Sequence, residues 1–587
     1  MVTPANPRPF QVEYVDNPSQ SELRELAVAH TPNVQRTKTG SVNKVSRNKA
    51  RMAQYTYIID TEDRWSHQII DPAKARGLIE RQAKYIADRG TLIAVDGYVG
   101  LGERAFGATW LYTPEGANIA GMQQILAFPR SDVESANQLA EPFKPTFRLI
   151  YTPDLMLDDM PGRQAIIVDM ENWTTHVMGP DYFGESKKGV LRMLNHYVYR
   201  EGGLVLHAGA KAVTRSEGDR VTMTVMGLSG TGKTTTTFSK QGDLTEPIQD
   251  DMVALWPHGA LSITENGCFA KIDGLALETE PIIYNATIGA DAWLENAFLE
   301  ADGSFDFNKG LLTTDDAARL RDILINTGAD AAKLDKFISG EIASSEVVDE
   351  LGVPADGWDF VKWTQNGRSI VPMSAIPGAA DLHRIPQVRS MGILNRDEGA
   401  DAAMPGILRF TSPAQAAGYF MLGETSKTSA AGKERGKTRS PFTQPFFPAK
   451  HGLQAERFAE IAHTMPDVTM WLMNTGYIGG DANDVKHDNA LKVKIRHSSA
   501  MLEALLSDSI KWKRDPDFGY EIVDCDAPEN AGLVERVPPE ILEPRRFFEG
   551  AGRSDEYRAW VDQMRSGRKE FLNKFKVAEP IIQATCG

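Results

Sequence analysis

The sequence predicts a mixed α/β fold in two lobes. Three observations carry this: short apolar runs alternate with polar turns along most of the chain, a helix-spaced segment stops at Gly202-Gly203, and a glycine-rich loop directly follows an apolar run at 221–226. Residues 1–30 contain several prolines and then turn helical in pattern. Residues 31–51 hold six cations and no acid: Arg36, Lys38, Lys44, Arg47, Lys49 and Arg51, interleaved with Gly40, Asn43 and Ser46. This reads as a loop presenting cations, with a solvated surface loop as the plainer alternative.

Between residues 74 and 190 the runs 91–95, 124–128, 148–151 and 164–168 read as strands of a mixed sheet. Residues 187–199 place Val190, Leu191, Leu194 and Val198 at helical spacing, and the Gly202-Gly203 pair marks the lobe boundary, giving lobes of 1–202 and 203–587. Strands follow at 204–207, 221–226, 248–249, 260–263 and 268–272. Residues 314–328 read as a capped helix, with Asp315 and Asp316 in its first turn, Leu320, Ile323 and Leu324 on one face, and Gly328 as the stop. Residues 426–441 read as a flexible Lys-, Gly- and Ser-rich loop. Near the end, Tyr557, Trp560, Val561, Met564, Phe571, Leu572 and Phe575 form a helical stripe interrupted at Gly567, the mark of a packed face.

Acidic residues number 79 and basic ones 64, a net charge of −15 over 587 residues, so nucleic acid and anionic membrane are poor partners. Cys268, Cys525 and Cys586 are too scattered for a disulfide framework or a paired-cysteine metal site. No apolar run approaches the roughly 18 to 20 residues of a spanning helix. A cytoplasmic protein acting on small molecules, with a monomer favoured, is the expectation.

The sharpest local signal is Gly227-Leu228-Ser229-Gly230-Thr231-Gly232-Lys233-Thr234, followed by Thr235. Glycines let backbone N–H groups turn inward around phosphate oxygens, the lysine reaches the β/γ-phosphates, and the hydroxyl can hold Mg²⁺. Asp250-Asp251, a short helix and strand further on, is a carboxylate pair able to orient a divalent metal, or else a helix cap and its neighbour.

With these residues, the chain resembles the ATP-dependent phosphoenolpyruvate carboxykinase family. The Gly-Leu-Ser-Gly-Thr-Gly-Lys-Thr-Thr string is the family's own wording. Tyr182-Phe-Gly-Glu-Ser-Lys187-Lys188-Gly resembles its YxGExKKG segment, and His207 lies 19 residues after Lys188 as the family's metal histidine does. Asn266-Gly-Cys268-Phe-Ala-Lys271, Glu280-Pro-Ile-Ile-Tyr284-Asn285-Ala, Asn366-Gly-Arg368-Ser, Lys433-Glu434-Arg435-Gly436 and Met473-Asn474-Thr475-Gly476 resemble further family words.

The resemblance implies a phosphoenolpyruvate carboxykinase-like, two-lobed enzyme with the site in the cleft. It decarboxylates oxaloacetate and phosphorylates the resulting enolate with ATP, giving phosphoenolpyruvate, CO₂ and ADP, with Mn²⁺ and Mg²⁺ as cofactors. It implies Lys188, His207 and Asp251 as Mn²⁺ ligands, Thr234 for Mg²⁺, and Lys188, Lys233, Asp250 and Arg368 in catalysis. Residues 227–235, Glu280 and Arg435 would bind nucleotide. Tyr182, Lys188, Ser229, Arg368 and Arg47, the last as nearest counterpart of an arginine in a broken GRSPKD word, would bind substrate.

The chain departs from the family after its aspartate pair, where Met252-Val253 replaces Glu-His, and in a longer connection at 308–364. A kinase on the same scaffold acting on another acceptor, or a non-catalytic nucleotide-binding protein, are the alternatives.

Overall fold

Two mixed sheets organise the chain, each within one of two compact units. The computed structural model describes residues 7–48, 53–215, 218–228, 231–238, 245–348, 363–427, 436–444 and 446–587. One unit comprises Met1–Leu101, Ala105–Leu194 and Glu265–Pro377, the other Gly102–Arg104, Asn195–Thr264 and Gly378–Gly587. After a brief excursion at Gly102–Arg104, the chain passes to the second unit at Leu194/Asn195, near the Gly202-Gly203 pair. The return of Glu265–Pro377 to the first unit left no mark in composition.

In the first unit, eight strands run in the order Glu13–Asp16, Thr91–Val99, Phe106–Tyr112, Phe147–Thr152, Thr174–Met178, Ala165–Asp169, Thr56–Ile59 and Gln68–Ile70, with parallel and antiparallel pairs mixed. The helix Pro72–Arg89 packs on this sheet through Ala75, Leu78, Gln82 and Ile86. It starts at Asp71, whose carboxylate accepts from the Ala73 and Lys74 N–H groups, and stops at left-handed Gly90.

A second sheet of the same unit has the order Gly267–Lys271, Arg368–Pro372, Trp293–Glu295, Val42–Lys44, Val34–Arg36. Its register sets Lys271 opposite Arg368, Arg368 opposite Glu295, and Glu295 opposite Lys44. Directly paired residues share a sheet face, so four charged residues stand in one row.

The second unit centres on Arg220–Gly227, flanked by antiparallel Ala208–Thr214 and parallel Val388–Asn395, with Thr469–Asn474 parallel beyond. Thr245–Gln249 pairs antiparallel with Ala208–Thr214. The strand leading into the glycine-rich loop is therefore interior, with its apolar residues buried.

Four sequence expectations need correction. The basic stretch at 31–51 is not one loop: it contributes Val34–Arg36 and Val42–Lys44, and Lys44 is buried. Residues 124–126 end the helix Ala117–Leu126, and only Phe128 beyond it pairs as an isolated bridge, with Tyr98, so the run 124–128 is not a strand. Nearly every residue of that helix is buried, so its polar/apolar period is erased, and a short apolar run carries no distinction between buried helix and strand. The expected helix at 314–328 is two, Thr314–Arg319 and Arg321–Asn326, broken at Leu320. Ser554–Lys574 is one uninterrupted helix: a Cβ at Gly567 would meet the Arg439 guanidinium, so that glycine makes room for an arginine.

At 308–364, the helices Thr314–Arg319, Arg321–Asn326 and Ala331–Ile338 close an apolar cluster with Val45, Phe298 and Trp363. The described ends of the 426–441 loop pair as Thr425–Lys427 with Gly436–Thr438. The three cysteines are unbridged, and among the described residues no helix is long and apolar enough to cross a membrane.

Candidate active site

In the second unit the loop is built for a tight reversal. After Gly227, Thr231 folds back so that its N–H and Oγ1 both donate to the Leu228 carbonyl, at 3.2 and 2.8 Å, and a Cβ at Gly227 would collide with Thr231 Oγ1. Gly232 takes φ +90°, a conformation that side chains with a Cβ resist. The helix Lys233–Phe238 then begins. Ser229, Gly230 and Arg435 lie outside the described residues, as do the side chains of Thr234 and Thr235.

Lys233 Nζ donates to Asp251 Oδ1 at 3.1 Å, and the same oxygen lies 2.9 Å from His207 Nε2. Asp250-Asp251 caps no helix. The buried Gln249 side chain accepts from the Asp251 and Met252 N–H groups at 2.7 and 2.8 Å, which turns the chain and aims the Asp251 carboxylate. Asp250 is buried beside it.

The far nitrogen of His207, Nδ1, lies 3.0 Å from the Phe442 carbonyl. A carbonyl only accepts, so Nδ1 carries a proton. Burial, helped by the Lys233 charge, lowers the pKa of His207, which keeps Nε2 bare. Two lone-pair donors, Nε2 and Asp251 Oδ1, thus face each other. That donor chemistry is of the kind a divalent cation such as Mn²⁺ takes, beside the ammonium of Lys233 that Asp251 Oδ1 already accepts. Among the described residues no three His, Cys, Asp or Glu side chains converge, so a cation here would draw on another ligand type, as a set including lysine does.

In the first unit, Lys188 donates to Glu185 at 2.9 Å, and Arg192 reaches the other oxygen of the same carboxylate at 3.0 Å. Burial opposes the charge of Glu185, but Lys188 and Arg192 outweigh it and hold the carboxyl at about 2. Lys187 is committed to Glu265 at 2.9 Å, both side chains buried. The Phe269 ring carries Lys187 Nζ at 5.1 Å and the Arg368 guanidinium at 5.7 Å, so one aromatic ring seats two cations. Tyr182 is buried, with its carbonyl held by the Tyr151 hydroxyl at 2.8 Å.

Arg47 donates to the Pro153 carbonyl at 2.7 Å and to Asp154 at 3.1 Å, and its backbone N–H donates to Asp181. Glu280 precedes the helix Pro281–Thr287 and gives its carbonyl to the Tyr284 N–H; its side chain makes no capping bond.

Sequence reasoning missed the acids that organise this side. Asp181 accepts from the Arg47 and Asn48 N–H groups and from Lys44 Nζ, at 3.0 to 3.2 Å. Glu295, wholly buried, accepts from the Phe183 N–H at 3.0 Å. The available signal was a lone acid inside the apolar run at 292–299.

A family profile described as phosphoenolpyruvate carboxykinase matches residues 12–327 and 352–528, most of the chain. The chain belongs to the phosphoenolpyruvate carboxykinase family. Its relatives include proteins named phosphoenolpyruvate carboxykinase (ATP) from three organisms. That of Mesorhizobium japonicum is 28% identical over 457 residues, covering 74% of this chain and 69% of the relative. That of Bradyrhizobium diazoefficiens is 28% identical over 416 residues, 67% and 63% of the two chains. That of Aeropyrum pernix is 27% identical over 528 residues, 85% and 87%. The profile leaves 328–351 unmatched, within the longer connection at 308–364.

Proposed function

We propose that this chain is an ATP-dependent phosphoenolpyruvate carboxykinase, a carboxy-lyase that converts oxaloacetate and ATP to phosphoenolpyruvate, CO₂ and ADP. The observation that carries the reading, beside the family, is the junction of Lys233, Asp251 and His207 through contacts of 3.1 and 2.9 Å directly behind the glycine-rich loop. The substrate role falls to the N-terminal lobe, 1–202, together with Arg368, and the nucleotide role to 203–587.

In this reading Arg368 grips a substrate carboxylate and Tyr182 orients it. Loss of CO₂ breaks a carbon–carbon bond and leaves its electron pair as an enolate, whose oxygen attacks the γ-phosphorus while the bond to the β-phosphate oxygen breaks and ADP departs. Lys233 and the N–H groups of 227–235 stabilise charge on the transferring phosphoryl group. Lys188, His207 and Asp251 would hold Mn²⁺ and Thr234 would hold Mg²⁺, cations that neutralise enolate and phosphate charge when bound. Glu280 and Arg435 would flank the nucleotide, Ser229 and Arg47 the substrate, and Asp250 would support Asp251. A reducing, cytoplasmic setting, supported by the unbridged cysteines, belongs to the same reading.

The test is phosphoenolpyruvate production from oxaloacetate by the purified protein with Mn²⁺ and Mg²⁺, comparing ATP, GTP and pyrophosphate. ATP-dependent product is expected. Absence of product from every donor, with nucleotide binding intact, overturns the reading in favour of another acceptor. Neither a kinase for another acceptor nor a nucleotide sensor has an observation of its own.

A further inference from the structure

Glu295 is a carboxyl with no route to water: its relative exposure is 0%. The row of the five-stranded sheet puts it between Lys44 on one side and Arg368 on the other. Yet Lys44 is engaged elsewhere, since its ammonium lies 3.2 Å from Asp181, which also accepts the Arg47 and Asn48 N–H groups. What Glu295 does hold is backbone. Its oxygens accept from the Phe183 N–H at 3.0 and 3.3 Å, fixing the residue next to Tyr182 just before the helix that carries Lys188.

The charge count around it decides its form. The groups that act on it are Asp181, an anion, and Lys44 and Arg368, cations, while Tyr151 feels its charge from the neighbouring sheet. Lys44 is compensated by Asp181 and Arg47 by Asp154 and Asp181. Arg368 donates to the Gly367 carbonyl and lies over Phe269, and neither contact cancels its charge. An ionised Glu295 would therefore have Arg368 as its counter-charge and would consume the attraction the arginine needs for a substrate anion.

We propose that Glu295 is a positioning residue acting as a neutral acid: at neutral pH it holds the Tyr182–Phe183 backbone while leaving the charge of Arg368 for the substrate carboxylate. This rests on the carboxykinase reading for the identity of the substrate, not for the state of the acid. Burial, the dominant influence, supports that state by raising the carboxyl to about 8. Above that pH the acid ionises, Arg368 turns toward it, and affinity for the anion falls.

Two measurements separate the parts. First, infrared difference spectra between the parent and Glu295→Gln are expected to show a protonated-carboxyl carbonyl band at pH 7 that falls to about a tenth of its intensity by pH 9. This arm needs no turnover, so it stands even if the parent makes no phosphoenolpyruvate, an outcome that would sink the carboxykinase reading alone. Absence of the band at pH 7 overturns the neutral-acid proposal.

Second, the KM for oxaloacetate of the parent is expected to rise about tenfold between pH 7 and pH 9 while the KM for ATP stays level, the slope of one ionisation near the substrate. Glu295→Val, which removes both the backbone hold and the acid, raises the oxaloacetate KM at every pH, and Glu295→Gln rescues it and flattens the rise. If the valine variant does not fold, the pH profile of the glutamine variant still decides: a rise like the parent's, or a loss of substrate affinity at pH 7 of tenfold or more, overturns the proposal.

Discussion

His207, Asp251 and Lys233 keep 21%, 20% and 12% of their side chains exposed, whereas Lys44 and Asp181 keep 3% and 6%. The two regions use charge for different ends. The first keeps its cation and lone pairs partly open to solvent, where an outside partner can reach them. The second seals its ions inside, where each charge costs free energy unless it is matched, so the network fixes backbone and little else. On the proposed reading, reaction chemistry concentrates in the partly open trio, and geometric precision in the buried set. Removing a group from one should cost rate, from the other stability.

The largest effect belongs to Lys233→Ala. Turnover should fall by at least about a thousandfold with the thermal transition nearly unmoved, read by steady-state kinetics beside calorimetry. An equal loss of stability would erase the contrast. Lys44→Ala should do the reverse, destabilising by about 3 to 5 kcal/mol because Asp181 is left buried with its main cation gone, as urea titration would measure.

Acid titration sharpens the same comparison. Burial raises Asp181, but Lys44, Arg47 and the N–H groups of Arg47 and Asn48 outweigh it and hold the carboxyl at about 2, below its ordinary 3.8. A depressed carboxyl contributes stability that is present above the unfolded value and lost as pH falls through the folded one. The parent should thus lose about 2 kcal/mol from this group between roughly pH 4 and pH 2. Asp181→Asn should be less stable at neutral pH and show an acid limb shallower by that amount; an unchanged limb would remove Asp181 from the account. Smallest is His207→Gln, expected to raise the Mn²⁺ concentration for half-maximal rate by about tenfold or more, and an unchanged metal titration would take His207 out of the site.

Legibility follows the same divide. The glycine-rich loop was readable because its parts are consecutive: strand, glycines, lysine and hydroxyl lie within residues 220–234, Gly232 is required by its own φ, and Gly227 by Thr231 four residues on. Asp250-Asp251 was readable as a pair, but not whether it caps a helix; the chain turns there on the Gln249 side chain and runs into the strand Val253–Leu255. The basic stretch misled because charge alone does not report burial. Lys44 looks like any solvated lysine until Asp181, 137 positions away, is brought against it.

By itself the sequence determined the alternation of elements, the glycine-rich loop and the family wording, all properties of near neighbours along the chain. Tertiary structure alone decided that Glu265–Pro377 rejoins the first unit, that Ala117–Leu126 is a helix, and that Glu295 stands between Lys44 and Arg368. The reason is physical: hydrogen-bonded turns and loops are set by local dihedral preferences, whereas the burial that moves a carboxyl's proton is the summed effect of residues hundreds of positions apart.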